Sequence, residues 1–142
     1  MTRKALIVVD YSYDFIADDG RLTCGKPGQD IESFILKRLE TYQSEGQDIF
    51  FMMDLHYEND MFHPETQLFP PHNIEGTAGR ELYGKIKAFY NNISGNSNIH
   101  YLNKRRYDSF YGTPLDSLLR ERNIKDIEIV GVCTDICILH TA

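Results

Sequence analysis

The sequence contains no tryptophan, only three cysteines and only five prolines in 142 residues. An odd cysteine count with no framework spacing excludes a small disulfide-stapled scaffold and points to a reducing compartment, read here as the cytosol. No apolar run approaches the roughly 20 residues that a membrane-spanning helix needs. The basic start Met1-Thr2-Arg3-Lys4 leads into only five apolar residues before Asp10, too short for a signal peptide. Positive charge is also short: 15 Lys and Arg stand against 21 Asp and Glu, a net charge of -6. That balance argues against nucleic acid and anionic membrane surfaces as partners. There are no internal repeats and no low-complexity tract.

What is present is an ordinary globular composition, 42% hydrophobic and 25% charged, in a length that suits one domain over residues 1–142. Residues 5–10, Ala-Leu-Ile-Val-Val-Asp, form a continuous apolar run ending in an acid, the pattern of a parallel strand buried on both faces. Residues 11–28 are rich in Asp and Gly and are expected as a loop, with Phe15 and Leu22 either lining a pocket or pinning the loop to the body. Residues 30–42 have helical periodicity through Ile31, Phe34, Ile35, Leu39 and Tyr42, and Gly46 is a credible stop. Residues 48–54 are a second buried strand, again closing on an acid, Asp54.

The polar, proline-bearing segment 55–77 is longer than connections usually are unless they carry function. A helix is expected over residues 78–90, a turn-rich linker over 91–98, and a short third strand over 99–102 ending at Asn103-Lys104. Thr113-Pro114 has the chemistry of a helix start, followed by Leu115, Leu118 and Leu119 on one face. A fourth strand over 126–130 runs into Gly131-Val132-Cys133-Thr134-Asp135-Ile136-Cys137. Strands alternating with helices predict an α/β fold with a parallel sheet and crossover connections.

Parallel strands bring their C-terminal ends to one edge, where open α/β sheets place their ligands. Asp10, Lys104 and Cys137 each follow a strand, so the three can converge. A thiol on the first turn of a helix is expected to have a lowered pKa, and Lys104 would favour the thiolate further. Asp10 could take the thiol proton and return one to a leaving group. The bland alternative is that Cys137 is a small buried hydrophobe and that Asp10 and Lys104 are a loop-starting acid and a solvated cation. At the second strand end, Asp54 and His56, with His72 downstream, suit zinc, iron or manganese and would leave positions open for water or substrate. Scattered surface histidines are the alternative there, and His63 and Glu65 are competing ligands. A two-thiolate site at Cys133 and Cys137 has no second cysteine pair to complete it, so the backbone N–H of Cys133 is expected to matter more than its sulfur.

These residues together resemble a known family. Strand-Asp10, Asp54-x-His56, Phe62-His63-Pro64-Glu65 with Pro70-Pro71-His72, Lys104-Arg105, and Gly131-Val132-x-Thr134-Asp135-x-Cys137 with Thr141-Ala142 look like the nicotinamidase/pyrazinamidase branch of the isochorismatase-like cysteine hydrolases. The resemblance covers essentially the whole chain in order. It implies a three-layer α/β/α sandwich around a parallel sheet of order 3-2-1-4-5-6, with strands 5 and 6 absent from this chain. The domain is accordingly expected to be incomplete at its C-terminus, with an uncovered edge on the fourth strand.

The resemblance further implies a catalytic triad of Asp10, Lys104 and Cys137. It implies one divalent metal on Asp54, His56 and His72, with Glu65 as a further group reaching the metal or its waters. An oxyanion hole is implied at the N–H groups of Cys133 and Cys137, with a cis bond between Val132 and Cys133, and a ring pocket walled by Phe15, Leu22 and Tyr107. The implied activity is hydrolysis of nicotinamide to nicotinic acid and ammonia, and of pyrazinamide, through a cysteine thioester, in NAD salvage. A homo-oligomer acting on a small molecule is the implied setting. An inactive metal-binding fragment and an amide hydrolase of different substrate in the same superfamily are the alternatives.

Overall fold

The computed structural model describes residues 3–142, apart from the side chains of Thr134 and Asp135 in the closing motif. Four parallel strands form one sheet: β1 (Lys4–Val9), β2 (Asp48–Asp54), β3 (Ile99–Lys104) and β4 (Asp126–Gly131). Their order is β3-β2-β1-β4, which is the first part of the expected order. The two central strands are the continuous apolar runs of the sequence. All seven residues of β2 and five of the six in β1 are buried, because both sheet faces are covered.

Alternate residues of β1 and β2 feed two separate cores, as the period of two requires. Leu6, Val8, Ile49, Phe51 and Met53 pack with Ile35 and Leu39 of α3 (Glu32–Ser44) and Ile86 of α4 (Gly84–Ile93). Ala5, Ile7, Val9, Phe50 and Met52 pack on the opposite face with Leu115 and Leu119 of α5 (Leu115–Glu121). Thr113 Oγ1 accepts from the Leu115 N–H at 3.3 Å, which satisfies one orphan donor at the start of α5. Two short helices, α1 (Tyr13–Ile16) and α2 (Lys26–Asp30), interrupt the segment expected as loop. The last helical turn, α6, spans Leu139–Thr141.

Three sequence expectations change. Residues 78–90 do not form one helix: Ala78–Arg80 is a single 3-10 turn and α4 begins only at Gly84, because Gly84 takes a positive φ of 54° and breaks the periodicity. Phe34 does not share the buried face of α3 and is 56% exposed, since the stripe runs through Ile35, Leu39 and Tyr42. Lys104 is the last residue of β3 rather than one beyond it, because the strand continues two residues past Leu102 in register with β2.

Candidate active site

Strand register does much of the assembly. Asp54 pairs with Lys104 across β2 and β3, so the second and third strand ends deliver an acid and a base side by side. Val9 pairs with both Met52 and Gly131, which sets Asp10 level with the turn that follows β4. Asp10 leaves its strand with φ 55°, a left-handed conformation that Asp tolerates better than most residues. Its N–H donates to the Met52 carbonyl at 2.9 Å, and its Oδ1 accepts from the Asp54 N–H at 2.9 Å. Gly131 is required where β4 passes β1: a Cβ there would lie 2.1 Å from the Val9 carbonyl oxygen, and its φ is 129°.

Lys104 is the hub. Its Nζ lies 3.0 Å from Asp10 Oδ2, 3.2 Å from Asp54 Oδ1 and 3.4 Å from Cys137 Sγ, and it donates to the Arg106 carbonyl at 3.0 Å. Asp10 and Lys104 are fully buried and Cys137 nearly so. Burial opposes the charge on Lys104, but Asp10 and Asp54, and then Cys137, hold its ammonium well above the usual lysine range. Asp54 is held well below the usual carboxylate range despite its burial, by Lys104 first and then by His56 and His72. Asp10 moves the other way, because burial and the neighbouring Asp54 outweigh Lys104.

The thiol does not meet the expectation of a lowered pKa. Burial first, then the Asp10 carboxylate, push Cys137 up, and Lys104 opposes this only in part. The local backbone also differs from a regular helix start. Residues Thr134–Ile138 form a π-turn, in which the Ile138 N–H reaches back five residues to the Cys133 carbonyl at 3.1 Å. The favourable pole of a regular helix is therefore replaced by a wider turn. Among the described residues every peptide bond is trans, including the one between Val132 and Cys133 where a cis bond was expected. Trans is the form a non-proline bond keeps unless its surroundings offset about 2.5–4 kcal/mol.

Asp54, His56, Glu65 and His72 form a second, contiguous group, all buried, with ligand atoms within 4.8 Å of one another. His72 Nδ1–H donates to the Pro70 carbonyl at 2.7 Å, which turns Nε2 toward Asp54 Oδ2 at 3.7 Å and Glu65 Oε1 at 3.6 Å. His56 Nε2 lies 3.0 Å from Asp54 Oδ2. Burial works against a charge on His72, but Asp54, Glu65 and the Pro70 carbonyl push it up to about 10. Glu65 Oε2 and His72 Nε2 are buried without a hydrogen-bond partner. Orphaned buried donors and acceptors are costly, and here both belong to a set of two carboxylates and two imidazoles. This is the donor chemistry of a divalent metal site, and the residues fit such an ion. His63 does not join the group: its Nε2 engages the Arg105 carbonyl at 2.5 Å and its Nδ1 accepts from the Glu65 N–H at 3.1 Å.

A cavity of about 200 Å³ joins the two groups. Phe15, Leu22, Phe69 and Tyr107 supply apolar wall, while Cys133 and Cys137 lie among its lining together with Asp54, Glu65 and His72. A wider cavity of about 320 Å³ touches the same histidines and Glu65 from the side of Arg21, Tyr57 and His63.

Supporting residues were not singled out in the sequence. Asp14 is buried and its Oδ2 accepts from the Asn73 N–H at 2.8 Å, next to His72. Asn73 has φ 47°, accepts from Ser12 Oγ at 2.8 Å, and its carbonyl accepts from the His56 N–H at 3.0 Å. Arg80 Nε donates to the Asp54 carbonyl at 2.9 Å. The signals available were an Asp and an Asn inside loops of turn chemistry, which locate a turn but not its partner.

Comparison with known proteins agrees with this geometry. Residues 4–142 match the Isochorismatase domain family. An uncharacterized isochorismatase family protein of Bacillus subtilis is 49% identical over 99% of this chain and 76% of its own. The structure of a pyrazinamidase/nicotinamidase from Streptococcus mutans superposes with a TM-score of 0.95 at 51% identity, covering 97% of this chain and 76% of that one. A pyrazinamidase of Pyrococcus horikoshii in complex with zinc superposes with a TM-score of 0.83 at 27% identity, covering 99% and 76% of the two chains. Parallel strand order, the acid–lysine–thiol cluster and these likenesses lead to one assignment: this chain belongs to the isochorismatase family of hydrolases.

Proposed function

We propose that this protein hydrolyses nicotinamide to nicotinic acid and ammonia, and accepts pyrazinamide, with Cys137 as nucleophile. The observation that carries the reading is the cavity of about 200 Å³ whose lining holds Cys137, the Asp54–Glu65–His72 group and the aromatic side chains of Phe15, Phe69 and Tyr107. A flat heteroaromatic amide has the matching polarity: a ring nitrogen at one end and a carboxamide at the other. Asp54, His56, Glu65 and His72 would hold one divalent metal, zinc first, whose Lewis acidity suits a pyridine nitrogen.

The rest of the mechanism belongs to the protein's own residues. Phe15, Leu22 and Tyr107 confine the ring and exclude water, so the carboxamide is presented to Cys137 in a fixed orientation. With its pKa raised by burial and by Asp10, the Cys137 thiol is a proton donor in the resting site. Asp10, itself raised, is the matched acceptor. Transfer of the thiol proton to Asp10 accompanies attack of Sγ on the carboxamide carbon. Backbone N–H groups of the 133–137 turn, those of Cys133 and Cys137, stabilise the oxyanion. Asp10 then protonates the departing nitrogen, which leaves as ammonia, and a thioester remains on Cys137. Asp10 next takes a proton from water, hydroxide adds to the thioester carbon, and nicotinic acid leaves as the thiol is restored. Throughout, Lys104 stays charged and keeps Asp10, Asp54 and the sulfur in one place.

The test is ammonia release from nicotinamide by this chain, with Cys137→Ala beside it. Release that disappears in the variant while bound metal is retained supports the reading. Turnover that survives in Cys137→Ala, or a Cys137-dependent activity confined to amides without a ring nitrogen, overturns it.

A further inference from the structure

The mechanism uses one thiol, yet three cysteines sit within the same part of the fold. Cys24 and Cys133 are 109 residues apart in sequence, and their sulfurs are 3.8 Å apart at the wall of the cavity that Cys137 lines. Both are half-buried. They pack against the apolar cluster on the α3–α4 face of the sheet, whereas Cys137 packs with the α5 face. The fold therefore separates a pair from the nucleophile.

We propose that Cys24 and Cys133 are a redox pair that closes to a disulfide across the cavity wall and shuts the site around Cys137. The shutting step rests on the hydrolase reading above; the disulfide itself does not.

The chemistry is thiol–disulfide exchange with a low-molecular-weight disulfide such as oxidised glutathione. One protein thiolate attacks a sulfur of that disulfide and expels one thiol, leaving a mixed disulfide. The second protein thiolate displaces the other thiol and forms the Cys24–Cys133 bond. Two protein thiols are oxidised, one external disulfide is reduced to two thiols, and the protons pass to those thiols. The hydrogen bond with Cys24 and burial push the Cys133 thiol up.

Closure has a mechanical consequence. A disulfide requires sulfurs about 2.05 Å apart, so one side must move toward the other by nearly 2 Å. The Cys24 side is tied to α1 by its N–H, which donates to the Phe15 carbonyl at 2.7 Å. On the other side, the Cys133 carbonyl accepts from Ile136 and Ile138, both at 3.1 Å, and these bonds form the turn that carries Cys137. Whatever part of that approach side-chain rotation does not supply falls on the Phe15 anchor of Cys24 or on the nucleophile's own turn.

The experiment treats the reduced full chain with oxidised glutathione, then maps disulfides by non-reducing digestion and mass spectrometry. Alongside, the rate of Cys137 alkylation by iodoacetamide is followed. The expected result is a Cys24–Cys133 linked peptide, an unlinked Cys137 whose alkylation slows by about tenfold or more, and full recovery with dithiothreitol. In Cys24→Ser and Cys133→Ser, the ratio of oxidised to reduced alkylation rate should stay within about twofold of one. A link that includes Cys137, no link, or a linked protein with unchanged Cys137 alkylation overturns the proposal. Because these readouts do not use turnover, absence of ammonia release from the reduced protein would count against the nicotinamidase reading alone.

Discussion

The two halves of the site are built differently. The carboxylate–imidazole half rests on β2, whose residues are all buried, and on a loop tied down by hydrogen bonds: Asp14 accepts from the Asn73 N–H, Ser12 Oγ donates to Asn73 Oδ1, and Arg80 Nε donates to the Asp54 carbonyl. The thiol half rests on β4, where only Val130 is buried, and on a turn held by its own backbone bonds. The difference matches the work that the proposed function gives each half. Four mutually attracting and repelling polar groups must be taken out of water and kept apart at fixed distances, which needs a rigid, fully paired surround. A nucleophile needs only one exposed lone pair and room to move toward carbon. Lys104 touches both halves, and it couples them electrostatically.

The largest expected effect comes from the thiol half. Cys137→Ala should lower ammonia release by about 10⁴-fold or more while leaving metal content unchanged, measured by steady-state kinetics and elemental analysis. Next is the hub. Lys104→Met leaves Asp10 and Asp54 buried without their counter-ion, so turnover should fall by about 10³-fold. Stability should fall by about 3–5 kcal/mol in denaturant titrations. Adding Asp10→Asn to Lys104→Met should recover stability but not turnover; recovery of both would break the claim that the hub joins two chemical halves.

Changes confined to the other half should be smaller for the thiol. His72→Ala should remove the bound metal on dialysis yet leave the rate of Cys137 alkylation within about twofold. Protons should compete at this half as well. Without metal, His72 has a folded pKa raised to about 10 from an ordinary value of 6.5. A raised folded value stabilises fully below the unfolded pKa and loses that contribution as pH rises through the folded one. The metal-free protein should therefore lose stability between pH 6.5 and about 10, and metal affinity should rise over the same window as the competing proton leaves. Denaturation in a chelator and calorimetric titration across that range measure the two. The smallest effect is expected at Asp14→Asn, which weakens the seat of Asn73 beside His72 and should cost metal affinity about tenfold without moving Cys137 reactivity.

Much of this was legible in the chain. The apolar runs before Asp10 and Asp54 announced doubly buried parallel strands, because burial on both faces removes the polar half of the usual alternation. Strand-end residues could be expected to converge, since parallel strands share one edge. The reactivity of the thiol could not be read in the same way. Its pKa depends on how deeply the sulfur is buried and how near Asp10 lies, and neither distance is a property of local sequence. His63 shows the same limit. It has the spacing of a ligand, but both its ring nitrogens are taken by backbone groups that arrive from Glu65 and Arg105.

By itself, the sequence determined the strands and which polar residues stand at their ends. It also offered Asp54, His56, His72 and Glu65 as candidate ligands, with His63 still among them, because periodicity, side-chain chemistry and turn residues act over a few positions. Only the tertiary structure decided that Asp54 and Lys104 share a register, that one ammonium serves Asp10, Asp54 and Cys137 together, and that Cys24 meets Cys133 across 109 residues. Those relations are set by how separate strands and loops pack around two common cores. Packing is the sum of many weak contacts, which no single stretch of the chain contains.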